Sequence, residues 1–147
     1  MNTENIPNNN LQPINVSINL KLASLWASFM FLYIYVDYFA LYMPGKINDI
    51  LKGKVFVFDI TQYFHLIALI SVSIPALMIF LSVALPANIN RWINIVIAIV
   101  YIPYSLFNLV GEAWMHMFFA ATVEVLLLSI VIFYAWKWPR VQAVIRN

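Results

Sequence analysis

Two carboxylates occupy positions where a carboxylate is expensive. Asp37 and Glu124 both sit inside long apolar stretches, and an ionisable side chain at the centre of a bilayer costs roughly 2.5–3.5 kcal/mol on an insertion scale. Glu124 falls almost at the middle of its stretch, whereas Asp37 lies nearer the end of its own. Such acids either hold a proton, cation or polar solute, or fix helix packing through hydrogen bonds. Glu124 and Asp37 therefore form the candidate proton or solute site.

A second polar feature lies between them in the chain. Asn94, Ala98, Tyr101, Ser105, Asn108 and Glu112 all fall within about 40° of Asn94 on a helix turning 100° per residue. Ile95, Val96, Ile99 and Ile102 oppose them. Small and polar side chains on one face of an apolar helix belong inside a bundle, as lining or as packing glue. Asn94, Tyr101, Tyr104, Ser105 and Asn108, joined by His65, are the candidate cavity lining. Glu112, beside a tight loop, reads as a solvated surface residue.

Other chemistry is poorly supported. The chain has no cysteine, and its two histidines, His65 and His116, are far apart, so no metal ligand set is expected. Three glycines cannot build a phosphate cradle. No nucleophile–base arrangement is visible, so no catalytic residue, cofactor or enzymatic activity is expected. The net charge of +2 is spread over the flanks of apolar stretches, which gives nucleic-acid binding no basis.

The elements that must position these residues are four apolar stretches, at 22–43, 62–85, 92–110 and 114–136. Each is close to the ~20 residues needed to cross a bilayer, and in lipid each must be helical because no water satisfies an open backbone. With 64% hydrophobic and only 10% charged residues, the chain reads as an all-α integral membrane four-helix bundle in one domain, 21–139. A polar tail, 1–20, would precede it and a short tail, 140–147, would follow. The N-terminal tail lacks the features of a signal peptide.

The one sizeable connection, 44–61, carries Ile47, Ile50 and Leu51 at helical spacing among Lys46, Asp49 and Lys52, which predicts a short interfacial helix ended by Gly53. Val55, Phe56 and Phe58 are expected to dip into the interface before the second span. Pro75 and Pro103 lie inside spans, where each deprives the carbonyl four residues earlier (Ser71 and Ile99) of its helical donor.

Lys21, Arg91, Lys137, Arg140 and Arg146 fall on one side of the bundle, against Lys46, Lys52 and Lys54 on the other, so both termini are expected in the cytoplasm. Trp26, Trp92, Trp136 and Trp138 are read as interfacial anchors on that side. Depth then gathers Asp37, His65, Tyr104, Asn108, Glu112 and His116 in the outer half, with Glu124 below them. This arrangement predicts a polar cavity opening outward.

The stretches LKLASLWASFMFLYIYVDYFALYMPGKI, SIPALMIFLSVAL, INRWINIVIAIVY and VEVLLLSIVIFYAWKWP resemble a bacterial four-span family catalogued only as a domain of unknown function. The likeness covers residues 21–139. It implies a bacterial inner membrane and a four-helix bundle, and it implies no activity. The expected function is to bind or move a small solute or proton through the outward cavity. The alternative is a structural or accessory subunit whose polar residues are interhelical glue. Besides the lipid bilayer, a homo-oligomer or a larger membrane complex is the expected partner.

Overall fold

The computed structural model describes residues 15–110 and 114–139 of the 147. Four long helices dominate it: α1 (Ile18–Ala40), α3 (Gln62–Ala84), α4 (Ala87–Phe107) and α5 (Met115–Trp136). All four are long and apolar enough to cross a membrane. The short helix α2 (Lys46–Leu51) and a two-stranded hairpin, β1 (Lys54–Val55) and β2 (Phe58–Asp59), lie between α1 and α3.

Local chemistry explains the helix starts. Ser17 takes an extended conformation and its side chain accepts from the Leu20 N–H at 3.4 Å, so α1 begins before residue 21 and takes in the last three residues read as tail. Thr61 caps α3 in the same way through the Phe64 N–H at 3.1 Å. Pro86 precedes α4, which starts at Ala87, more than a turn before residue 92, and so brings Asn90 and Arg91 into the helix. α2 occupies the predicted place, and Gly53 just after it has a φ of 76°, a left-handed turn that favours glycine. The antiparallel hairpin, pairing Lys54 with Asp59, was not expected. Its turn places Phe56 at a φ of 55°, an uncommon conformation for a bulky residue.

Neighbouring helices run antiparallel. α1 packs along α3 and α5, and α4 packs along α5, whereas α3 and α4 approach closely over few positions. The centre is filled by large side chains from the diagonal pair, α1 and α4. Trp26 packs edge-on against Phe29, Phe29 edge-on against Tyr101, and Tyr33 stacks on Tyr104 at 6.2 Å. Leu22, Met78, Leu128 and Val131 complete this core.

Trp26 corrects the reading that made it a headgroup anchor. It is fully buried and donates its indole N–H to Asn94 Oδ1 at 2.7 Å. Trp92 and Trp136 do lie exposed, with the Arg91 guanidinium over both rings at 5.4 and 5.6 Å. These rings, with Lys21 over Tyr134 and Lys137 over Phe133, mark the end of the bundle where α1 begins and α5 ends. The tail residues 1–14 and 140–147, with Arg140 and Arg146, and residues 111–113 with Glu112 lie outside the described residues.

The weakly packed α3–α4 seam is closed by hydrogen bonds. The Tyr101 hydroxyl donates to the Ser71 carbonyl, the group that Pro75 deprives of its helical donor. Tyr101→Phe should therefore cost about 1–2 kcal/mol, the penalty for an unpaired buried carbonyl. In a Pro75→Ala background residue 75 regains an N–H and the cost should shrink. A double-mutant cycle read by thermal unfolding checks this; strict additivity would show that Tyr101 does not serve the carbonyl.

Candidate functional site

A cavity of about 710 Å³ lies under α2 and the hairpin. Its floor and sides come from the cap-side halves of the long helices: Tyr33 and Asp37 from α1, Phe64 and Ser71 from α3, Tyr104 and Phe107 from α4, with Asn108 just beyond α4, and Met117 from α5. The cap adds Lys46, Asp49, Lys54, Phe56 and Phe58. The volume suits a small organic molecule, and an apolar, aromatic wall with a few placed polar groups is the usual character of such sites.

The charges are balanced and segregated. Lys46, Asp49 and Lys54 come from the cap and Asp37 from the α1 wall, exposed to the cavity. Below them runs a directional hydrogen-bond chain. Ser71 Oγ donates to the Ala68 carbonyl at 2.7 Å, so its contact with the Tyr104 hydroxyl at 3.1 Å must be one it accepts. Tyr104 in turn accepts from Tyr33 at 3.1 Å. Three hydroxyls thus present a fixed polar strip along an aromatic wall.

Glu124 lies in a second, much smaller pocket of about 10 Å³, lined by Val36, Ser105, Asn108, Leu109, Met117, Ala120, Ala121 and Glu124. Helical side chains lean toward the helix N-terminus, so Glu124 reaches along α5 toward Ala120 and the cap. The small Ala120 and Ala121, both buried, let α5 approach its neighbours closely there. Glu124 is 3% exposed and forms no ion pair or closed hydrogen bond among the described residues. Ser105 Oγ, also buried and without a hydrogen-bond partner, lines the same pocket as the Glu124 carboxyl. Asn108 and Met117 belong to the walls of both cavities.

Six of the eight residues singled out from sequence are gathered here: Asp37, Tyr104 and Asn108 on the large cavity, Glu124, Ser105 and Asn108 on the small one, and Tyr101 directly beneath Ser71. Two are elsewhere. His65 lies exposed, its Nδ1 2.9 Å from the Thr61 carbonyl. Asn94 is buried toward the opposite end, in a closed cluster that lines neither cavity. Its amide donates to Asn90 O at 2.9 Å and Asn90 Oδ1 at 2.6 Å, while its Oδ1 accepts from Trp26 and Ser82. Asn90 completes the cluster by donating to the Ser82 carbonyl at 2.6 Å. The periodicity that placed Asn94 on the inner face is right; depth along the helix separates packing from lining.

Sequence reasoning missed Ser71 and Tyr33 as lining, Met117 as the shared wall, and the cap residues Lys54, Phe56 and Phe58. Signals existed for Ser71, whose carbonyl Pro75 frees, and for Met117, which stands two helical turns before Glu124 on the same face. Among the described residues there is no cluster of three or more His, Cys, Asp or Glu that could hold a metal.

The model of a family of unknown function, DUF6326, matches residues 16–144. The chain belongs to that family. The match takes in all four long helices, the cap and both cavities, so the site is built from family sequence throughout. No curated protein and no solved structure matches the chain.

Proposed function

We propose that this family member is a multi-pass protein of a bacterial inner membrane, with both termini in the cytoplasm and the cap outside, that binds a small amphipathic solute in the capped cavity. The observation that carries this is a 710 Å³ space with an aromatic wall, a hydroxyl strip and an acid, Asp37, on its side. Binding fits better than open passage. Below the cavity the bundle is filled by Leu22, Trp26, Phe29, Met78 and Leu128, all essentially without exposed surface. Passage would require this plug to part, or a second copy to supply another path. The Asn94 cluster serves the accessory alternative equally well, because a fully partnered polar group is a packing device. Its place away from the cavity separates it from the solute site.

The natural absence of cysteine makes a direct test simple. Single cysteines at Ser71 and Asn108 should react with a membrane-impermeant thiol reagent added from outside, about 100-fold faster than one at the buried Met78, where reaction needs local unfolding. Equal rates at Ser71→Cys and Met78→Cys would remove the open cavity and with it the solute reading. At Asn108→Cys a cationic methanethiosulfonate should outpace an anionic one. Asp37→Asn should cut that preference about fivefold, the worth of ~1 kcal/mol from one charge a few ångströms away in a partly wet site.

A further inference from the structure

We propose that Glu124 is a proton-binding site loaded from the capped cavity alone, across a one-water pocket walled by Asn108 and Met117. The proposal rests on the cavity being open to water, as the solute reading also requires, and it needs no solute to be bound. A carboxyl group this deep cannot remain charged without a counterion, and among the described residues no Lys, Arg or His lines its pocket. The pocket's 10 Å³ is close to the least space that holds a water. Three polar groups converge on it: the Glu124 carboxyl, the unpartnered Ser105 hydroxyl and the Asn108 amide. A buried water typically makes about that many hydrogen bonds.

Access is one-sided. Asn108 and Met117 stand between the two cavities, and Met117 is an unbranched side chain able to move aside. In the other direction lie Phe29 and Leu128, both essentially without exposed surface and part of the packed core. The proton passes from water in the large cavity to water in the pocket, then onto a Glu124 carboxylate oxygen, and leaves by the same path. From α1, Asp37 is the charged group that acts on Glu124. From α4 the facing groups are Ser105 and Asn108, with Tyr101 below and Tyr104 above; along α5, His116 lies about two turns away. α3 contributes nothing to the pocket.

Infrared spectroscopy of the protein reconstituted in lipid vesicles, exchanged from H₂O to D₂O, tests this. A protonated-carboxyl band that shifts in D₂O and responds to pH should be present. It should vanish in Glu124→Gln, move in Glu124→Asp and persist in Asp37→Asn. Filling the wall with Met117→Trp, or blocking the cavity through a bulky reagent on Ser71→Cys, should slow its deuteration by more than about tenfold, since exchange then needs a local opening of the bundle. Absence of the band at every pH would overturn the proposal, as would undiminished exchange in Met117→Trp. If Ser71→Cys fails to label, the open cavity is lost and both readings fall; if it labels while Met117→Trp exchanges undiminished, this proposal falls and the solute reading stands.

Discussion

Asn94→Leu should destabilise the bundle by about 3 kcal/mol, because it strands a fully buried indole N–H and unpairs two further groups. Leucine is close to asparagine in size, so an empty space is not the cause. Trp26 loses the acceptor it holds at 2.7 Å, the Ser82 hydroxyl loses its acceptor at 3.3 Å, and Asn90 Oδ1 loses the donor it holds at 2.6 Å. Nothing wet is near, since Trp26, Asn90, Asn94 and Ser82 each have no exposed surface. At roughly 2–4 °C per kcal/mol for a chain of this size, the midpoint should fall by about 6–12 °C. Thermal unfolding in detergent, followed by near-ultraviolet circular dichroism, reads it directly. Trp26→Phe removes the donor together with its need, so the double variant should be more stable than the two single losses added together. A cost below about 0.5 kcal/mol would mean the cluster is replaceable by water or by rearrangement.

Glu124→Leu should do the opposite, raising stability by about 2 kcal/mol while abolishing whatever the carboxyl binds. The two residues face the same interior, yet their surroundings differ in one respect. Asn94 has every polar atom engaged, whereas Glu124 closes no bond among the described residues. A polar group with partners is missed when it is removed; one without partners is a stability cost retained for another reason. Leucine has one side-chain heavy atom fewer than glutamate, and the small pocket beside the carboxyl offers space for its methyl groups. Parallel melts of wild type and Glu124→Leu decide the sign. A lower midpoint for Glu124→Leu would make Glu124 a packing residue and return the whole polar interior to the accessory reading.

Membrane class and helix number were legible because they depend on run length and hydrophobicity, which the bilayer tests residue by residue. The inner face of α4 was legible too. Asn94, Ala98, Tyr101 and Ser105, spaced by helical turns, are all buried. Trp26 was misplaced because an indole near a lysine reads as an anchor in one dimension; only a neighbouring helix could offer it the buried acceptor that drew it inside. The hairpin at 54–59 was missed because two-residue strands leave almost no periodic signal, and its Phe56 adopts a conformation the residue type disfavours.

By itself the sequence determined that four helices are long and apolar enough to cross a membrane, which face of α4 turns inward, and that Ser71 would expose a carbonyl for another group to satisfy. Those properties follow from local hydrogen bonding and from transfer between water and lipid, so neighbouring residues suffice to set them. Tertiary structure alone decided which polar residues would be partnered and which left open. Asn94 meets Trp26 across 68 positions of chain and Ser71 meets Tyr104 across 33, while Glu124 meets no such partner. The division between glue and site depends on distances between helices, and a helical repeat carries no record of those.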